Sequence, residues 1–168
     1  MTLQPHFSDL ADIVADLSRS MPPEMRFQRL LDVLARNFPC DAIALLAREG
    51  GVLVPKAIKG LSPDTLGRRF VIGNHPRLSQ ILDSSAPVRF AADSELPDPY
   101  DGLIENSRDH LYVHDCMGAS LYFNDIPWGV VTMDSLNPGA FDEIDLDGLE
   151  AFLHVTAAPV HVADWIQH

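Results

Sequence analysis

An α+β domain is what the order of periodicities along the chain predicts: a central antiparallel sheet with the terminal helices on one face and a crossover of short elements on the other. Two amphipathic helical stretches come first. Two hairpin-like strand pairs follow, held apart by a long irregular crossover, and a last helical stretch closes the chain. The 168 residues suit one domain, 1–168, with a core of its own.

Phe7, Leu10, Ile13, Val14 and Leu17 recur at helical spacing and predict an amphipathic helix over 8–19. Met21-Pro22-Pro23 ends it. A second helix over 24–37 buries Phe27, Leu30, Leu31 and Leu34, with the prolines where a helix start tolerates them. Residues 42–48 and 52–58, around Glu49-Gly50-Gly51, read as a β-hairpin. Cys40 at its entrance reads as a small buried hydrophobe. Ser62 is placed to cap a short helix carrying Pro63 in its first turn. Residues 77–83 form another short helix with Leu78, Ile81 and Leu82 inward, and 88–90 a brief strand. Alternation returns over 115–123 and 128–134, a second hairpin around Asn124-Asp125-Ile126-Pro127. The last helix, from Asp142 to His168, contains Pro159, which predicts a kink or a stop near Ala158.

Composition narrows the function. At 46% hydrophobic and 21% charged the chain reads as an ordinary globular domain, and no run of about 18 apolar residues predicts a membrane span. The N-terminus lacks a basic region followed by an apolar one, so no signal peptide is read and a cytoplasmic location is expected. A formal charge of −12 repels a phosphate backbone, which excludes direct nucleic-acid contact by this domain. Cys40 and Cys116, far apart in sequence, form no CxxC pair or disulfide framework.

The crossover ends in the chain's least regular stretch, 93–116. It holds seven carboxylates (Asp93, Glu95, Asp98, Asp101, Glu105, Asp109, Asp115), His110, His114 and Cys116, against one base, Arg108. Loops of this length inside a compact domain are usually functional or disordered. Carboxylate, imidazole and thiolate are ligands for divalent metals; an acidic, solvated surface loop has the same composition. Folding the second hairpin about its centre brings Cys116 within one residue of a position opposite Asp134, where facing Cβ atoms lie about 5 Å apart. A carboxylate facing inward from a strand is costly unless paired, so Asp134 requires a metal or a cation such as Arg77. A pocket between sheet and crossover, with Tyr100 and Tyr112 among its lining, would hold the acidic stretch.

The element order, with CDAIALL opening the first hairpin and a helix after FDEIDL, resembles a GAF domain. RFQRLLDVL, GRRF, HPRL, VRFAADSELPDPYDGLI, the His-x-Cys of VHDC and TMDSL resemble the N-terminal sensor of NorR-type nitric oxide-responsive activators over about 10–155. The resemblance implies a mononuclear non-haem ferrous iron whose reaction with nitric oxide relieves repression of an AAA+ ATPase acting on sigma-factor-dependent polymerase. The chain contains no Walker motif and no DNA-binding segment, as expected of the sensor part alone. The family's site residues fall on Asp98, Asp101, His114, Cys116 and Asp134 as metal ligands, with Arg77 matching the family's arginine. A guanidinium stays protonated and offers no lone pair, so Arg77 is expected to pair with a ligating carboxylate or to signal to the ATPase. Asp115 between His114 and Cys116, and Pro159 in the last helix, depart from the family pattern. The terminal helices are expected to pack the core or to make a homodimer contact. Two other readings accompany the resemblance to GAF domains: an enzyme of the free methionine sulfoxide reductase type, and a module that binds another small ligand or only dimerises.

Overall fold

The structure, a computed structural model, describes residues 7–105 and 115–167. Helix α1 (Phe7–Ala15) runs through a 3-10 turn, Asp16–Ser18, toward α2 (Pro23–Asn37). Strands β1 (Ala42–Glu49), β2 (Val52–Lys59) and β3 (Phe70–Val71) precede α3 (Pro76–Asp83) and β4 (Val88–Phe90). After the acidic stretch come β5 (Asp115–Phe123), β6 (Ile126–Ser135) and α4 (Leu146–Gln167). The six strands form one sheet in the order β3-β2-β1-β6-β5-β4, antiparallel throughout. The β5–β6 turn is tighter than its composition suggested: Asn124 and Asp125 both take positive φ, 51° and 64°. Asn and Asp accept that conformation more readily than most residues, and it matches the twist of the flanking strands.

Strand alternation divides the interior in two. On one face Ile43, Leu45, Met117, Ala119, Leu121, Val131 and Met133 pack with α1, α2 and α4. On the other, Ala42, Ala44, Leu46, Cys116 and Val130 pack with α3 and the crossover. The layering is the predicted one, with terminal helices on one side and crossover on the other.

Four local expectations are corrected. Of the five apolar positions expected to bury α1, only Ile13 is buried; Phe7 is 88% exposed. Two aspartates anchor the segment instead. Asp9 accepts from Arg36 Nη2 at 2.5 Å and Asn37 Nδ2 at 2.8 Å, and Asp16 from Arg29 Nε at 2.5 Å. Charge-assisted bonds to α2 thus stand in for a wide apolar stripe. Pro159 does not stop α4, which continues to Gln167. Its missing N–H leaves one carbonyl unserved, a loss that burial of Val160 and Ala163 on the far side offsets. The helix also begins at Leu146 rather than Asp142, because Asp145 takes the capping role and accepts from Gly148 N at 3.0 Å. Ser62 makes no side-chain cap on the 3-10 segment Pro63–Gly67. Its backbone N–H instead bonds Leu103 O at 2.7 Å and draws the crossover together.

Candidate metal centre

The register sets one row across the crossover face: Phe90 opposite Cys116, Cys116 opposite Asp134, Asp134 opposite Ala42. Cys116 and Asp134 are each 1% exposed, and the thiol hydrogen-bonds the Asp134 carboxylate. A soft and a hard donor therefore stand side by side in the interior.

Two crossover residues close over this row. Arg77, from the first turn of α3, is buried rather than a surface residue. Its guanidinium carbon lies 5.3 Å from the Phe90 ring centroid, its Nε donates to Leu96 O at 3.0 Å, and its Nη1 is buried with no hydrogen-bond partner among the described residues. Tyr100 is fully buried; it fills the space between crossover and sheet rather than lining an open pocket. Its hydroxyl meets Thr132 Oγ1 at 2.7 Å, and its N–H donates to Asp98 Oδ1 at 2.9 Å.

The electrostatics tie these groups together. Burial pushes the Cys116 thiol well above its ordinary pKa, and the Asp134 and Asp98 carboxylates add to that; Arg77 opposes them. Burial likewise raises the Tyr100 phenol, with Asp134, Cys116 and Asp98 contributing. The interior thus favours a protonated thiol until a cation arrives.

Not every expected ligand joins the row. Asp98 is half-buried in the turn above it, whereas Asp101, three residues on, is exposed. Pro97 to Asp101 forms a turn with Asp101 N bonded to Asp98 O at 3.3 Å, not the helical turn that would turn both carboxylates one way. His114 and Tyr112 lie outside the described residues. Among the described residues no three His, Cys, Asp or Glu side chains gather as a metal group. The donor chemistry fits a divalent ion: an opposed thiol and carboxylate, buried, with a second carboxylate acting on the thiol.

Two polar features escaped the sequence reading. Thr132 lies two residues before Asp134 on the same face, and strand alternation would have marked it. Asp115, one residue out of step with Cys116, faces the helix side. There Asp115 Oδ2 accepts from Arg89 Nη2 at 2.8 Å and Phe141 N at 3.1 Å, and Arg89 also reaches Asp142 Oδ1 at 2.5 Å. Cys40, half-buried against the helix-side core, has its pKa pushed up to about 12, chiefly by burial.

A curled six-stranded antiparallel sheet with helices on one face and a crossover on the other is a recurrent small α+β architecture. The chain belongs to the GAF domain family, whose model matches residues 22–158. It is 45% identical over 151 residues to the regulatory protein LuxO of Vibrio cholerae, covering 90% of this chain and 28% of that one. It is 49% identical to the nitric oxide reductase transcription regulator NorR1 of Cupriavidus necator (78% of this chain, 26% of that one). Over 97% of its length it is 44% identical to the anaerobic nitric oxide reductase transcription regulator NorR of Serratia proteamaculans, 32% of which it covers. The chain spans about a quarter to a third of the curated relatives it matches. These relatives are named as regulators, not enzymes. Among solved structures, it superposes on the GAF domain of a phosphoenolpyruvate-protein phosphotransferase from Coxiella burnetii with a TM-score of 0.70 at 18% identity, covering 96% and 95% of the two chains. It superposes on a free methionine-R-sulfoxide reductase from Neisseria meningitidis with a TM-score of 0.65 at 16% identity, covering 94% and 89%. At these identities the likeness is one of fold alone.

Proposed function

We propose that the domain is a nitric oxide sensor built on a mononuclear non-haem ferrous iron, held by Cys116, Asp134 and Asp98, with His114 as a further ligand and the exposed Asp101 left outside the set. The observation that carries the reading is the buried Cys116–Asp134 pair on the sheet face that Arg77 and Tyr100 of the crossover cover. The relatives named as nitric oxide reductase transcription regulators support it. A bound ferrous ion would supply an open coordination position for the gas.

The chain's own residues do the rest. Burial excludes water from the row. Cys116 Sγ gives up its proton when a cation replaces the carboxylates' demand for one, so metal uptake releases protons. Arg77, without a lone pair, offsets the surplus carboxylate charge, and its Nη1 is buried with no partner among the described residues. Asp115, next in sequence to Cys116, is tied through Arg89 and Phe141 to the turn before α4. A shift of Cys116 therefore reaches the C-terminal helix, from which repression of an AAA+ ATPase in a full-length, cytoplasmic regulator would be relieved.

Anaerobic titration with Fe(II), followed by nitric oxide and electron paramagnetic resonance, tests this. One iron per chain and a half-integer-spin signal on adding the gas are expected. Failure to take up iron, or Asp134→Ala and Cys116→Ala variants that keep both iron and signal, would overturn it.

A further inference from the structure

The Asp98–Tyr100 turn is fastened to the sheet by one buried hydroxyl contact. Tyr100 is fully buried although it belongs to the acidic stretch, and its ring packs edge-on to Phe70 at 5.7 Å. Its hydroxyl meets Thr132 at 2.7 Å, on the face that carries Asp134 two residues further along β6. On the other side Tyr100 N donates to Asp98 Oδ1 at 2.9 Å and Leu103 N to Tyr100 O at 2.9 Å. A carboxylate fixed by the backbone of Tyr100 is thus referred, through the phenol of the same residue, to the strand bearing Asp134.

We propose that Tyr100 is a positioning residue: its hydroxyl bond to Thr132 locks the turn on the crossover face and so holds Asp98 where its charge acts on the Cys116 thiol of the Cys116–Asp134 pair. This rests on the iron-site reading above. Affinity for iron then depends on a hydroxyl that need not touch the ion, because a carboxylate ligand is only as well placed as its support.

Tyr100→Phe keeps the ring and removes the bond. Tyr100→Phe/Thr132→Val removes both partners and leaves no unpaired hydroxyl, which restores stability without restoring the lock. Fe(II) affinity is measured by chelator competition, unfolding by denaturant, and amide hydrogen exchange at Tyr100 and Leu103 in iron-free protein. The single variant is expected to bind Fe(II) about ten-fold more weakly and to exchange those amides about ten-fold faster. The double variant is expected to regain the wild-type midpoint while keeping the weak affinity and fast exchange. Unchanged affinity and exchange in the single variant, or affinity returning together with stability in the double, overturns the positioning role. If the wild type takes up no Fe(II), the sensor reading fails separately, and exchange in iron-free protein decides the lock: faster in Tyr100→Phe supports it, unchanged overturns it.

Discussion

Strands β5 and β6 carry different chemistry on their two faces. Met117, Ala119, Leu121, Val131 and Met133 turn to the helices and make an apolar contact, with Asp115 and its Arg89 partner at its end. Cys116, Thr132 and Asp134, one residue out of step, turn to α3 and the acidic turn. The first arrangement is what stability selects, since apolar burial stabilises without demanding partners. The second places a carboxylate, a thiol and a guanidinium where each is costly unless paired or ligated. Period-two alternation lets the same residues' backbone serve both purposes, so that the site rests on strands whose register the opposite face fixes.

The contrast can be broken from either side. The largest stability loss is expected on the helix side. Phe152, 1% exposed and edge-on to Phe38 at 5.8 Å, should cost about 3–5 kcal/mol as Phe152→Ala in denaturant unfolding. The iron affinity of the protein that stays folded should be unchanged. Asp134→Asn should do the reverse. Fe(II) affinity should fall about 100-fold or more in a chelator competition. Because Asp134 raises the Cys116 pKa, the thiol should titrate lower in the variant, as followed by thiolate absorbance.

Gly118→Ala tests how tightly the crossover is seated. A Cβ there would run into the Ile81 side chain, which must be displaced, at about 1–3 kcal/mol in thermal or denaturant unfolding. Alkaline pH should produce a smaller effect. The folded pKa of Cys40, about 12, lies above the ordinary thiol value of roughly 8.5, so the native state holds the proton longer. The stability this contributes is complete below about pH 8.5 and is lost as pH rises toward 12. Cys40→Ala should flatten the fall in denaturant midpoint between pH 7 and pH 10. Lys59→Ala, which removes an exposed pair with Asp32 at 3.4 Å, should change stability by about 0.5 kcal/mol or less.

The sheet was legible because its two hairpins alternate cleanly and their turns carry the right residues. The same alternation brought Cys116 and Asp134 to within one residue of their observed pairing. The mode of attachment of α1 was not legible. Asp9 and Asp16 look like solvent-facing acids until α2 presents Arg36, Asn37 and Arg29 to them, and side-chain pairing between distant elements leaves no period in a sequence. Pro159 misled for a related reason, since tertiary burial of Val160 and Ala163 outweighs the one lost hydrogen bond. Asp98 and Asp101 share a spacing but not a surrounding, because the turn between Pro97 and Asp101 is not helical. Tyr100 read as pocket lining because nothing local reveals that its hydroxyl meets a strand 32 residues away.

The two cysteines bring the central claim to one measurement. Cys116 lies on the site face opposite Asp134, and Cys40 packs against the helix-side core. Electron paramagnetic resonance of anaerobically iron-loaded protein treated with nitric oxide should be recorded for the wild type, Cys116→Ser and Cys40→Ser. A half-integer-spin iron signal in the wild type, retained in Cys40→Ser and lost or reshaped in Cys116→Ser, is the predicted result. Equal signals in all three proteins, or none in the wild type, would contradict the assignment of the Cys116–Asp134 row as the iron site.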